Sequence, residues 1–174
     1  SGLLLKELGV EYAILGHSER RQYLNETDEM IHLKIKSVIN EGLTPILCVG
    51  ETFDQRKEGS KDYIIRQQIM TALEGLTPSL SQKIIVAYEP VWVIGSGQAV
   101  EPKEAEYTHQ VIKQALIDLF ASSLVLKNFP IIYGGSVDAA NAGEFLKQET
   151  IHGVLVGSAS LQADEFVKIA QAGG

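Results

Sequence analysis

The sequence holds little of what disulfide-bonded, membrane-spanning or nucleic-acid-binding proteins require. Its single cysteine, Cys48, excludes a disulfide within the chain and favours a cytoplasmic location. No run of about 18 apolar residues occurs, so we expect no membrane-spanning helix. Lysine and arginine together number 15 against 22 aspartate and glutamate residues, for a formal net charge of -7. That balance argues against a broad basic face, and we therefore expect no nucleic-acid or membrane partner.

The remaining composition is that of one globular domain. The chain has 174 residues, of which 45% are hydrophobic, and we predict a single domain over residues 1–174. Short apolar runs alternate with stretches of helical periodicity, and none of the runs alternates polar with apolar residues. This arrangement predicts an α/β fold, with a parallel sheet and helices outside it. The predicted strands are residues 12–15, 45–49, 84–88, 130–133 and 154–156, and the predicted helices are residues 3–8, 29–40, 63–73, 103–120 and 138–147, with a last helix beginning at Asp164.

One carboxylate stands where an α/β fold carries out chemistry. Glu89 follows the third apolar run, Pro90 fixes the backbone just after it, and Trp92 lies in a glycine-containing loop. That order predicts a general base beneath a mobile loop. The alternative is a strand-to-loop turn whose glutamate is merely solvated, and this segment alone does not decide between the two.

Other predicted strand ends carry polar or glycine residues. His17 follows the first strand and could act as an acid, a base or a hydrogen-bond donor, although a lone histidine there is more often structural. A helical turn beginning at Ser18 would favour a neutral ring. Residues 134–136 and 157–158 offer backbone N–H groups that could hold a phosphate. Taken singly, each glycine pair is more often a tight turn, but together they match the phosphate site of barrels.

Cofactor and metal motifs are not supported. Residues 95–97 lack the third glycine of a dinucleotide fingerprint and do not follow a strand, so NAD is not expected. His32, His109 and His152 have no partner at metal-ligand spacing, and we interpret them as surface or packing residues. We therefore predict neither a metal nor a cofactor.

Four motifs in register resemble those of the triosephosphate isomerase family, and the similarity covers essentially the whole chain. The resemblance implies a (β/α)8 TIM barrel. It also implies the interconversion of dihydroxyacetone phosphate and D-glyceraldehyde 3-phosphate through an enediolate, without a cofactor. The four motifs are residues 14–21, 87–92, 133–137 and 155–157.

The resemblance also implies roles for individual residues. Glu89 becomes the general base, and His17 becomes the neutral electrophile that polarises the substrate carbonyl. Glu19 would support the site from beneath as a carboxylate, and residues 91–98 would form a closing lid. The implied phosphate contacts are Gly95, Ser136, Gly157 and Ser158, of which Ser158 replaces a glycine found in many members.

The chain departs from the family pattern in one large respect. It supplies about five βα units of an eight-unit barrel and lacks the family's Asn-x-Lys, whose lysine binds substrate. We therefore expect an incomplete barrel that is weakly active or inactive alone. Two open sheet edges predict a homo-oligomer or a complementing N-terminal segment. The alternative function is a non-catalytic phosphate-binding or self-assembling fragment of that barrel.

Overall fold

Four parallel strands form the sheet in the part of the chain that the structure describes. The computed structural model describes residues 2–79, 81–94 and 98–173. The strands are β1 Tyr12–Leu15, β2 Thr44–Val49, β3 Ile85–Tyr88 and β4 Ile131–Tyr133. They lie in the order β1-β2-β3-β4, and each pairs with its neighbour in parallel. The predicted α/β class is confirmed, because strands in chain order joined by helices are the arrangement of a partial (β/α)8 barrel.

The fifth predicted strand, residues 154–156, is reduced to a single β-bridge. Val154 pairs with Tyr133, and the N–H of Leu155 donates to the Tyr133 carbonyl over 2.8 Å. Within the described residues this segment meets the sheet on one side only. The sheet of those residues therefore has four strands rather than the five that the apolar runs predict.

The helices stand between the strands as predicted, with shifted ends. They are α1 Gly2–Glu7, α2 Ser18–Leu24, α3 Asp28–Asn40, α4 Phe53–Lys57, α5 Lys61–Leu73, α6 Pro102–Leu119, α7 Ser122–Asn128, α8 Ala142–Leu146 and α9 Ala163–Gln171. Pro102 occupies the start of α6, where its missing N–H costs nothing. The helix predicted from residue 138 begins only at Ala142, because the Asp138 carboxylate accepts the N–H groups of Ala140 and Asn141 and closes a turn instead.

The two central strands are enclosed on both faces, as the unbroken apolar runs predict. In β2, Leu47 and Cys48 are fully buried, and in β3 Val86, Ala87 and Tyr88 are fully buried as well. Helices α3, α5 and α6 supply most of the cover, through buried isoleucines and leucines that pack on these strands. This packing makes the carboxyl ends of β2 and β3 a rigid base for the site.

The β1 edge is much less covered than the centre of the sheet. Tyr12 and Ile14 are 54% and 47% exposed, and α1 buries none of its residues. Among the described residues, no further strand pairs with β1 on its outer side. In the same part of the chain, no helix is both long and apolar enough to cross a membrane.

Candidate active site

A cavity of about 560 Å³ lies at the carboxyl ends of the strands. It forms where parallel strands release their loops, the usual place of chemistry in an α/β fold. The cavity brings together six of the seven residues singled out from the sequence, whereas Gly95 lies outside the described residues. The six are His17, Glu19, Glu89, Ser136, Gly157 and Ser158.

Glu89 is buried at the end of β3 and is not a solvated turn residue. Its side chain is 3% exposed, and its backbone N–H donates to the Val49 carbonyl over 2.7 Å. Gly50 allows this close approach, since a Cβ there would lie 1.7 Å from the Glu89 carbonyl oxygen. The Glu89 Oε2 accepts the Ser18 N–H over 3.0 Å. Burial raises the pKa of the Glu89 carboxyl, and the neighbouring His17 ring and Ser18 N–H offset only part of that rise.

His17 is the N-cap of α2, and this position selects one form of its ring. The Nδ1 atom accepts the N–H of Glu19 over 3.3 Å and therefore carries no proton. The Nε2 atom then carries the proton and lies 3.2 Å from Glu89 Oε1. The helical turn predicted to begin at Ser18 is confirmed. The arrangement presents a neutral imidazole whose N–H donor faces the cavity's buried carboxylate.

The resemblance implies that Glu19 lies beneath the site, but the structure does not place it there. It is exposed in the first turn of α2 and lines the cavity wall. The buried carboxylate near this strand end is Glu26, which is 5% exposed and accepts the Gly16 N–H over 3.1 Å. Its pKa is lowered: burial alone would raise it, but hydrogen bonds from Lys34 and Arg20 outweigh burial. Sequence reasoning missed Glu26 because no periodicity or motif marks it.

Unused backbone N–H groups occur among the residues that line the cavity. No acceptor among the described residues takes the N–H of Ser136, Gly157 or Ser158. The N–H of Gly134, in contrast, donates to the Tyr88 carbonyl over 2.7 Å and is already used by the sheet. Ser158 also begins a short 3-10 turn, Ser158–Leu161. Three unused donors on one wall are suited to binding an anion such as phosphate.

A second buried carboxylate anchors the loop that follows Glu89. Glu51 is fully buried just after β2, and its Oε1 accepts the indole N–H of Trp92 over 2.9 Å. The Tyr88 hydroxyl donates to the same carboxylate over 3.2 Å. Burial raises the pKa of Glu51, against the lowering effect of these hydrogen bonds. The position of Glu51 directly after an apolar run is the one sequence signal that could have indicated it.

The described residues contain no group of three or more histidine, cysteine, aspartate or glutamate side chains placed to hold a metal ion. His109 is completely buried, with its ring 5.8 Å from that of Tyr88 and 6.4 Å from that of Tyr133. Burial lowers the pKa of His109 to about 4. The ring is therefore a neutral packing group near neutral pH.

Comparison with known proteins agrees with this geometry. The sequence model of a family described as triosephosphate isomerase matches residues 1–173. A triosephosphate isomerase of Protochlamydia amoebophila is 45% identical over 174 residues, which are 100% of this chain and 66% of that protein. One from Fusobacterium nucleatum is 46% identical over 170 residues, or 98% of this chain and 67% of that protein. The chain thus spans about two thirds of the length of these relatives.

Proposed function

The chain belongs to the triosephosphate isomerase family, a family of TIM-barrel enzymes, and we propose that its site interconverts dihydroxyacetone phosphate and D-glyceraldehyde 3-phosphate. The reaction is an aldose–ketose isomerisation through an enediolate, in which one proton moves between two adjacent carbons and a second moves between the oxygens that these carbons carry. One observation carries the proposal: a buried carboxylate, Glu89, faces the N–H of a neutral imidazole, His17, within one cavity. A base and a donor in this arrangement suit proton abstraction next to a carbonyl.

Glu89 is the proposed base. Burial raises its pKa toward the range in which a carboxylate takes a proton from a weak carbon acid more readily. In the resting site both of its oxygens accept hydrogen bonds, from Ser18 and from His17. Substrate binding must therefore release at least one of these bonds before the carboxylate can reach the carbon. The proton it takes from one carbon is returned to the neighbouring carbon.

His17 is the proposed electrophile. Because its Nδ1 accepts the Glu19 N–H, the ring has a single proton, on Nε2, and that proton points into the site. A neutral N–H donor can move from the Glu89 oxygen to the substrate carbonyl and then stabilise the developing oxyanion. The His17 Nε2 atom would serve both the Glu89 carboxylate and the substrate carbonyl. The base and the donor would therefore separate only when substrate enters between them.

The phosphate of the substrate would bind at the part of the cavity formed by Ser136, Gly157 and Ser158. The unused N–H groups of Ser136, Gly157 and Ser158 support this assignment. Gly95 and a lid over residues 91–98 complete the proposal, although residues 95–97 lie outside the described part. Closing such a segment would exclude water, so that the enediolate is protonated rather than losing its phosphate.

The lining of the cavity lacks a positive charge to match an anionic substrate. Among the described residues that line it there is no lysine or arginine, while Glu19 contributes an exposed carboxylate. Losing one preorganised charge of this kind costs about 10²–10³ in rate. We therefore propose slow turnover by the chain alone. A second copy of the chain, or a complementing N-terminal segment, would cover the exposed β1 edge and could bring a cation to this wall.

The absence of a lysine or arginine from the described lining also favours one competing function. In that alternative the chain is a non-catalytic phosphate-binding or self-assembling fragment. Incubation with dihydroxyacetone phosphate in D₂O separates the two functions. A working base exchanges the substrate's abstracted proton for deuterium, which NMR detects at the carbon next to the carbonyl. We expect exchange with the parent chain and none above background with Glu89→Gln. Thermal stabilisation by inorganic phosphate without any exchange would support the binding fragment instead.

A further inference from the structure

One arginine contacts two residues, Trp92 and Glu104, that stand on either side of residues 95–97 in the sequence. Arg56 lies on α4, and its guanidinium carbon stands 4.6 Å from the centroid of the Trp92 ring. Its Nη1 atom also bonds to Glu104 Oε1. Trp92 precedes residues 95–97, and Glu104 follows them in the first turn of α6. One side chain therefore contacts both flanks of the segment.

Two carboxylates compete for this arginine. Arg56 Nη1 lies 3.8 Å from Glu51 Oε1, the same atom that accepts the Trp92 indole N–H. The closer partner is Glu104, and that bond raises the pKa of Arg56 while it lowers the pKa of Glu104. Without a charge on Glu104, the nearest remaining carboxylate for the guanidinium is Glu51. A guanidinium drawn to Glu51 would leave the indole face and compete with the indole N–H for one oxygen.

A second cation keeps Glu104 in place and ionised. Lys61 Nζ lies 3.6 Å from Glu104 Oε1 and also donates to the Thr108 hydroxyl over 3.1 Å. Lys61 is largely buried, with 14% of its side chain exposed. Glu104 is therefore held by α5 as well as by α4, and it offers Arg56 a fixed partner.

We infer that Glu104 is a positioning residue for Trp92, which it holds through the Arg56 guanidinium. Glu104 keeps Arg56 stacked over the indole and away from Glu51, and so preserves the Trp92–Glu51 hydrogen bond. The consequence for lid movement rests on the proposed function, whereas the link from Glu104 to Trp92 stands on the contacts alone. Such a link would set the resting position of Trp92, which belongs to the proposed lid.

The sequence provides a direct probe, because Trp92 is the only tryptophan in the chain. Acrylamide quenching of its fluorescence reports how well the indole face is covered. We expect Glu104→Gln to increase the Stern–Volmer slope roughly twofold, since a neutral amide no longer holds the guanidinium over the ring. The matched control is Asp118→Asn, on the same helix as Glu104. It removes a carboxylate that pairs with Arg66 of α5, and it should leave the slope unchanged.

A double-variant cycle tests whether Glu104 acts through Arg56. Arg56→Met should raise the slope by itself, and adding Glu104→Gln to it should change nothing further. Equal slopes in the parent and Glu104→Gln, or additive effects in the double variant, would overturn the inference. If far-UV circular dichroism shows that Glu104→Gln does not fold, Glu104→Asp provides the same test, because it keeps the charge but shortens the reach of the carboxylate toward Arg56. No substrate is present, so the outcome is independent of whether the chain proves to be an isomerase.

Discussion

His17 Nε2 lies 3.2 Å from Glu89 Oε1, so the proposed electrophile and the proposed base are each other's partners in the resting site. The His17 side chain is 31% exposed and the Glu89 side chain is 3% exposed, so both are largely shielded from solvent. Each therefore satisfies one hydrogen-bonding position of the other, while Ser18 and Glu19 supply the second partners. A ligand that offers a carbonyl oxygen and an acidic C–H between them replaces one contact by two.

Replacing the histidine should affect rate more than stability. We predict that His17→Gln lowers isomerase turnover by about 10² or more, because the donor at the developing oxyanion is displaced. The melting temperature should fall by only a few degrees, since the ring is about one-third exposed and losing its N-cap bond costs about 1 kcal/mol. Steady-state kinetics beside thermal melts would check this. His32→Gln is the matched control, because that ring bonds to the Ala72 carbonyl on the helical exterior and should leave turnover unchanged.

Gly134 leaves the space that the Glu89 side chain occupies, and we predict that turnover depends on this space. A Cβ at Gly134 would lie 3.1 Å from Glu89 Cγ and 3.3 Å from the Tyr88 carbonyl. Gly134→Ala should therefore push the Glu89 side chain and reduce turnover at least tenfold, as a misplaced catalytic group does. Gly143→Ala, which meets nothing within 4 Å, serves as the control in the same assay. Unchanged turnover in Gly134→Ala would show that Glu89 is not held at this position in the working enzyme.

The sequence predicted most of what positions this site. Strands β1 to β4 match their apolar runs, and for the central strands β2 and β3 the reason is that parallel strands enclosed on both faces are uniformly apolar. The placement of His17 and Glu89 in one cavity followed from both standing at carboxyl ends of such strands. These features depend on the local pattern of apolar residues and on the order of strands and helices along the chain, and both can be read from the sequence.

What the sequence did not predict depends on contacts between distant residues. The pairing of Glu51 with Trp92 joins positions 41 residues apart and leaves no periodic signal. Glu26, rather than Glu19, became the buried carboxylate because Arg20 and Lys34 surround it, and their placement follows from helix packing. The fifth apolar run remained a single bridge between Val154 and Tyr133, a shortening that its apolar residues alone did not predict.

The buried histidine His109 should make stability pH-dependent in acid. Burial lowers its pKa from 6.5 to about 4, so between these values the unfolded chain binds a proton that the folded chain does not. Its contribution to stability is complete above pH 6.5 and is lost as pH falls toward 4. Between pH 7 and pH 4.5 we expect a loss of about 2 kcal/mol. Urea unfolding of the parent and of His109→Gln at both pH values would check this, with a smaller loss expected in the variant.

Two variants of Ser158 separate the contribution of its backbone N–H to phosphate binding from that of its side chain. Ser158→Gly keeps the backbone N–H and should change the dissociation constant for inorganic phosphate less than about twofold. Ser158→Pro removes that N–H at the start of the 3-10 turn, where proline fits, and should weaken binding about tenfold. Isothermal titration of both variants checks the difference. Equal binding by the two variants would exclude the Ser158 N–H from the phosphate site.

The most direct test of the proposed function is the conversion of D-glyceraldehyde 3-phosphate by the 174-residue chain, beside Glu89→Gln purified from the same host. The shared host matters because trace host isomerase would raise both rates equally. We predict slow turnover in the parent and background turnover in the variant, since no other carboxylate occupies the position of the base. Equal rates in the two proteins would contradict catalysis at this site and leave phosphate binding as its function.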